Sequence, residues 1–469
     1  MFKRFLALVL SAMLVFSLVG CGNSGASSEV DIDADINSDI TVNSDIKEDD
    51  SSTSSNDKDT SGSSNGNTSS NQNNSSNKET NNTDSLKGTT VKVLMWRALT
   101  EQEKKTIANF ENKTGMKVQV TTDQHSTYMV KLSSLIAAKD APDVAIIATE
   151  EGSQGCFPLG AAQLYQPAKV SKQDFTDGFW DLDSMDQFKI KGNYYAFISY
   201  GSWYNCNGIV LYNDDLFKNY GIKTPKTLWK EGNWNWDTLK QTAQAMKEKG
   251  VIGYFNHSRY NLMHSSGTNF VTYDGTSFKS EITSSKVINA WNFNSQMVEL
   301  GLQPAYGTET QSFYEGKTAM VGINLWTMRK EAMYGNVSFK LDAAPFPSPK
   351  GQEAIIPGGA NLFAIPKGAK NPVGAGVFIR DFIDPKNNGN FADIAVNPEM
   401  EDVFNYCTSK EAKKYYGYAN GVVGYTNITN LTKLMKDLSE TTSSQVTTVL
   451  QKNKSLIDSA VKNVNSKLK

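Results

Sequence analysis

The sequence predicts an α/β protein of two lobes with a helical C-terminus. Three observations predict it. Residues 89–469, about 380 of the chain's 469, are too many for one compact core and suit two. From Val91 to Ala148 short apolar runs alternate with amphipathic ones, the rhythm of strand, helix and strand in a parallel sheet with right-handed crossovers. From Asn430 to Leu468 the apolar residues recur at helical spacing, with Leu431, Leu434, Met435 and Leu438 in one stripe that reads as core.

Taken in order, Val91–Trp96 is a short apolar strand. Thr100 and Glu103 form a capping box for a helix that turns Ile107 and Phe110 inward and stops at Gly115. Lys117–Thr121 alternates as a strand. Ser126 is positioned to cap a second helix bearing Leu132, Leu135 and Ile136, and Asp143–Ala148 is a further buried strand. An aromatic-rich stretch, Gly192–Val210, leads into a strand at Ile209–Tyr212 and a short helix at Asn213–Asn219. Helices are expected at 236–249 and 286–300, and strands at Gly253–Phe255, Ala319–Ile323 and Phe363–Pro366, the last followed by a helix from Val373 to Ile383. Ligands on such sheets bind beyond the carboxyl ends of the strands. Trp96, Arg97, Glu150 and Glu151 therefore stand at the candidate mouth.

The first 88 residues have a different character. Lys3 and Arg4 precede an apolar run from Phe5 to Val19, the order of a secretion signal and somewhat short for a membrane span. Leu18-Val19-Gly20-Cys21 resembles the lipobox of bacterial lipoproteins, which implies cleavage before Cys21 and a diacylglycerol on its thiol. Two acyl chains anchor stably where one does not. Residues 22–88 are rich in Ser, Asn, Thr, Asp and Gly and lack aromatics, a composition that cannot offset its ordering entropy. Asp31, Asp33, Asp35, Asn37 and Asp39 have calcium-loop spacing, but Ile36 replaces the required glycine and Val42 the required glutamate. Gly62-Ser63-Ser64-Asn65-Gly66 fits a nucleophile elbow in letters only, because no strand and helix flank it.

Charge and titratable residues exclude several classes. Residues 22–88 hold 13 acidic and 4 basic side chains and the signal two basic ones, leaving 41 basic and 36 acidic residues in the body. That small excess argues against nucleic acid. The three histidines, His125, His257 and His264, lack the H-E-x-x-H spacing of a metal site. No metal or cofactor is expected. Cys156, Cys206 and Cys407 are an odd number, which is no disulfide framework. They read as small buried hydrophobes, with a Cys156–Cys206 bridge as the alternative. Paired carboxylates such as Glu150 and Glu151 suggest a glycosidase only weakly, since adjacent side chains diverge.

Four segments in order resemble the large sugar-binding family 1 of extracellular solute-binding proteins of ABC importers: Leu132–Val144, Leu211–Phe217 with Gly221 and Thr224–Thr227, Phe313–Met320 with Trp326, and Gly358–Lys367. The resemblance covers about 89–469. One departure is that Leu228 follows Pro-Lys-Thr, Trp229 comes next, and an insertion from Lys230 to Trp236 adds Trp234 and Trp236. The resemblance implies a two-lobed periplasmic-binding-protein-like fold with crossing strands at a hinge. It divides the chain into a signal at 1–20, a spacer at 21–88 and a binding domain at 89–469. Lobe 1 takes about 89–207 and 355–385, and lobe 2 about 213–350 and 390–469.

A sugar offers apolar C–H faces to aromatic rings and hydroxyls to carboxylates, amides and guanidinium groups. The resemblance implies ligand contacts at Glu151 with its neighbour Glu150, at Tyr204 and Asn207 beside the first crossing, and at Arg259 and Tyr260 in a loop of the second lobe. It adds Trp326, and Gly359 and Asn361 at the return crossing. Trp96 is a candidate whose alternative is core packing. The function implied is a monomeric, lipid-anchored, non-enzymatic binding protein on the outer face of the cell membrane. It captures a mono- to oligosaccharide and delivers it to an ABC permease. The alternatives are a sensor or adhesion lipoprotein and, more remotely, a secreted carbohydrate-active enzyme.

Overall fold

The computed structural model describes residues 83–124, 127–148, 164–258, 260–305, 310–332, 337–417, 422–423 and 425–468, which fall in one compact unit, Lys78–Lys469. Its strands are β1 (Thr90–Met95), β2 (Lys117–Thr122), β3 (Val144–Ala148), β4 (Gly208–Asn213), β5 (Ile252–Asn256), β6 (Val271–Tyr273), β7 (Phe278–Ser280), β8 (Thr318–Asn324), β9 (Leu341–Pro345), β10 (Ile355–Pro357), β11 (Asn361–Ala364) and β12 (Lys413–Tyr415). The fold is mixed α/β in two lobes, each built on a four-stranded sheet.

The first sheet has the order β11-β3-β1-β2. β1 lies parallel to β2 and β3, as the strand-helix rhythm predicts. The return strand β11 joins the edge antiparallel to β3, with Leu362 opposite Ile147. The helix Glu101–Thr114 begins with the full capping box of Thr100 and Glu103 and ends at Gly115, whose φ of 69° is left-handed, a conformation glycine adopts without a Cβ penalty. Phe110 then meets Phe378 of the helix Pro372–Ile383 edge-on at 5.3 Å. The expected cap at Ser126 lies outside the described residues. Thr127 precedes the helix Tyr128–Ala137 and makes no side-chain cap.

The second sheet has the order β5-β8-β4-β9. β5 and β8 are parallel, while β4 runs antiparallel to β8 and β9. All six residues of β4 and all seven of β8 are buried, as expected of strands covered on both faces. Alternation divides them. Ile209, Leu211, Val321 and Ile323 join a cluster with Trp203, Phe391 and Phe404, whereas Val210, Tyr212, Tyr254 and Met320 join the larger core. The C-terminal run is three helices, Tyr425–Glu440, Val446–Lys452 and Lys454–Lys467, with Leu431, Leu434 and Leu438 buried. A 3-10 turn, Thr83–Leu86, precedes β1.

Cys407 is buried, and burial pushes its thiol pKa up. Cys206 is half-buried. Cys156 and Cys21 lie outside the described residues. Within those residues no helix is long and apolar enough to cross a membrane.

Candidate functional site

The two sheets are joined through a pair of crossing segments. Residues 204–207 and 359–361 run antiparallel. The Cys206 amide donates to the Gly359 carbonyl at 2.7 Å and the Asn361 amide to the Tyr204 carbonyl at 2.8 Å. Asn207, fully buried, ties three segments together. Its Nδ2 donates to the Cys407 carbonyl at 2.7 Å, its Oδ1 accepts from the Gly359 amide at 3.1 Å, and its backbone carbonyl accepts from the Leu325 amide at 2.9 Å. Four expected site residues, Tyr204, Asn207, Gly359 and Asn361, are therefore brought together, with Trp326 one residue beyond the Leu325 anchor. Both polar atoms of the Asn207 amide are engaged within the protein, so its side chain acts as a girder of the crossing.

Tyr204 is likewise committed. Only 4% exposed, it packs edge-on against Phe363 at 5.0 Å. Its hydroxyl donates to Glu103 Oε1 at 2.7 Å. Glu103 also accepts from both Nη atoms of Arg97, at 2.8 and 2.7 Å, and from the Thr100 amide at 2.8 Å. Burial by itself would raise the Glu103 pKa. The hydrogen bonds and charge of Arg97, with the Tyr204 hydroxyl, outweigh it and bring the pKa down to about 2. Arg97 is held protonated in turn: burial opposes its charge, but Glu103 more than compensates. This chain fixes the end of β1 against the crossing. Trp96, just past β1, is 7% exposed and meets Tyr128 edge-on at 5.6 Å, so most of its ring belongs to the first core.

The second wall lies at the carboxyl ends of β5 and β8, which are parallel neighbours. Asn256 closes β5 opposite Gly322. It is 3% exposed, and neither its oxygen nor its nitrogen has a hydrogen-bond partner among the described residues. The same holds for the Tyr254 hydroxyl and Asn261 Nδ2. A Cβ on Gly322 would lie against the Tyr254 hydroxyl and 2.9 Å from Asn256 Oδ1, so glycine there makes room for this polar cluster. Each unsatisfied buried group costs about 1–3 kcal/mol, so the cluster favours a further hydrogen-bonding partner. Beyond β8 the 3-10 turn Leu325–Met328 presents Trp326. Leu325, Thr327 and Met328 are buried, but Trp326 is only half-buried. It belongs to neither apolar cluster. Among the described residues its ring has no aromatic neighbour and its indole nitrogen no hydrogen bond. Tyr260 is half-buried, stacked on His264 at 6.0 Å. Burial brings the His264 pKa down to about 3.

Glu150, Glu151 and Arg259 lie outside the described residues. The inserted tryptophans are structural. Trp234 Nε1 donates to the Pro345 carbonyl at 2.8 Å, Trp236 Nε1 to the Pro347 carbonyl at 2.9 Å, and Trp229 packs on Tyr406 at 5.2 Å. Sequence reasoning missed two features. Asn256 reads only as the polar end of an apolar run. Glu103 reads as a helix cap, which it is, and nothing local signals its second role at the crossing. Among the described residues no group of three His, Cys, Asp or Glu side chains is placed to hold a metal.

The family described as bacterial extracellular solute-binding protein matches this chain over residues 96–414, from the Trp at the mouth to β12. The chain belongs to that family. Several solved structures share the fold of this solute-binding protein. The cycloalternan complex of a substrate-binding protein from Listeria monocytogenes has a TM-score of 0.57 at 18% identity, over 78% of this chain and 98% of the other. The cyclic α-maltosyl-1,6-maltose binding protein of Arthrobacter globiformis reaches 0.61 at 16% identity, over 80% and 99%. An extracellular solute-binding protein of Staphylococcus aureus in complex with maltose reaches 0.60 at 14%, over 81% and 99%. A comparison with curated proteins returned no match.

Proposed function

We propose that this solute-binding protein captures a carbohydrate, mono- to oligosaccharide, between its two lobes and delivers it to an ABC permease. It does so while tethered to the outer face of the membrane through a lipid on Cys21, with residues 21–88 as the spacer. The observation that carries the reading is Trp326, a half-buried indole outside both cores at the carboxyl end of β8 and pinned to the crossing. An indole in that position stacks on the C–H face of a sugar ring, and the unpaired amide and hydroxyl groups of Asn256, Asn261 and Tyr254 suit a hydroxylated ligand or its bound water. The carbohydrate complexes of two similarly folded proteins support the ligand class. Ligand bound between lobes draws them together, and the closed form is the one a permease recognises.

The test is a titration of the purified chain with a panel of neutral and acidic mono- and oligosaccharides, followed by tryptophan fluorescence and calorimetry. Saturable one-to-one binding to a carbohydrate is expected. Slow consumption of the bound sugar would point to an enzyme, and absence of binding across the panel would remove the carbohydrate reading. For the anchor, Cys21→Ser is expected to leave the membrane fraction or remain uncleaved. A cleaved Cys21→Ser product retained on the membrane would contradict lipidation.

A further inference from the structure

Arg329 caps the turn that presents Trp326, and its amide donates to the Trp326 carbonyl at 3.2 Å. Trp326 and Arg329 are thus tied together by the backbone of one tight turn. The Arg329 side chain is only 16% exposed. Its guanidinium carbon sits 5.9 Å over the ring of Trp203, which stacks at 5.2 Å on Phe391. The cation is thus laid on an apolar platform that limits its plane.

Among the described residues Arg329 is the arginine with the weakest ion pair. Of the three arginines among the described residues, Arg97 has Glu103 at 2.7 Å and Arg380 has Asp177 at 2.6 Å. The nearest carboxylate to Arg329 is Glu331, at 3.5 Å from Nε and with a side chain 55% exposed. No hydrogen bond from its guanidinium is formed among the described residues. Tyr204, which feels the charge of Arg329, already donates its hydroxyl hydrogen bond to Glu103, which also accepts from Arg97. The guanidinium is held in place by the Trp203 platform and keeps donors open to a further anion. The planar fork of arginine matches a carboxylate in two parallel hydrogen bonds.

Resting on the carbohydrate reading above, we infer that the ligand is an acidic sugar, a uronic-acid-containing saccharide whose carboxylate is taken by Arg329 while a ring of the same saccharide stacks on Trp326. Arg329 is then a specificity-determining residue of the site. A sulfated sugar offers the same charge with a different geometry and is one arm of the test.

The probes are oligosaccharides from pectate, alginate and glucuronoxylan, the same oligosaccharides with their carboxyl groups reduced to primary alcohols, and sulfated galactose oligomers. The full chain and its Arg329→Gln and Arg329→Lys variants are titrated with each, with a thermal melt of every variant as the folding control. At least one uronate is expected to bind the native chain about 10-fold or more tighter than its reduced counterpart. That preference should shrink as salt rises. Arg329→Gln is expected to weaken the uronate roughly 30-fold and leave the reduced sugar within about twofold. Arg329→Lys should retain part of the preference. Equal binding of charged and reduced sugars, or a preference that survives in a folded Arg329→Gln, would overturn the inference and leave the carbohydrate reading standing. So would binding confined to the sulfated probes. No binding to any probe, charged or neutral, would remove the carbohydrate reading and this inference with it.

Discussion

Replacing Glu103 by glutamine tests whether the contact between β1 and the crossing is held by charge. Glu103 accepts four hydrogen bonds, two from Arg97, one from Tyr204 and one from the Thr100 amide, and its side chain is 3% exposed. Glutamine keeps one acceptor oxygen and turns an amino group toward donors. Breaking a buried ion pair costs about 3–5 kcal/mol, and the 29% exposure of Arg97 lets water offset part of it, which points to the lower end. The depressed pKa gives a figure of the same size. The Glu103 pKa falls from 4.5 to about 2 in the folded chain, and at 1.36 kcal/mol per unit that is roughly 3 kcal/mol. Because the folded pKa is depressed, this stability is full above pH 4.5 and is lost as pH falls toward 2. Urea unfolding of the native chain and Glu103→Gln should differ by about 3 kcal/mol at pH 7 and by about half of that at pH 3. A difference under about 1 kcal/mol at pH 7, or one that does not shrink on acidification, would refute the reasoning.

His264 is held neutral by burial, with a pKa of about 3 against 6.5, beside the Asn269 amide at 2.9 Å and the rings of Tyr260 and Tyr415. The unfolded chain takes up the proton first, so stability is full above pH 6.5 and falls below it. Roughly 2 kcal/mol should be lost between pH 7.5 and 5, and urea unfolding of His264→Gln should lack that slope. Gly253→Ala would place a Cβ 2.6 Å from the Ala243 Cα, in the backbone of the helix Trp236–Lys247. A loss of about 2 kcal/mol or more is expected, read as a lower melting temperature. Lobe closure should lower the radius of gyration in small-angle scattering when a bound saccharide is added. An unchanged radius at saturation would argue for a rigid module.

Much of the fold was legible because local rules agreed with one another. The capping box at Thr100 and Glu103 and the glycine stop at Gly115 bound a helix to within a residue. The apolar runs at β4 and β8 read as strands because both faces are covered. The break of the C-terminal run into three helices was not legible, since the apolar period continues across Asn453 while the chain turns there. The site was legible in part. Trp326 stood out through the resemblance of its segment to the family's, and the structure leaves it half-buried. Tyr204 and Asn207 lie at the crossing, but a sequence gives no sign that Glu103, about a hundred positions away, and the Cys407 carbonyl have already taken their polar atoms. Arg97 was placed at the mouth by strand order alone. The unsatisfied amide of Asn256 and the underpaired guanidinium of Arg329 depend on contacts between distant segments, which periodicity does not encode.

Calorimetric titration of the native chain and Trp326→Ala with a bound saccharide, paired with a thermal melt of each without ligand, tests the central claim most directly. An indole stacked on a sugar ring removes apolar area at about 25 cal/mol per Å² and adds ~0.5–1 kcal/mol of aromatic contact, a sum of roughly 2–3 kcal/mol or about 30- to 150-fold in affinity. The account predicts that loss of affinity with little change in the ligand-free melting temperature. A melting temperature that falls as for a buried tryptophan, about 3–5 kcal/mol of stability, with affinity unchanged, would place Trp326 in the core and contradict the account.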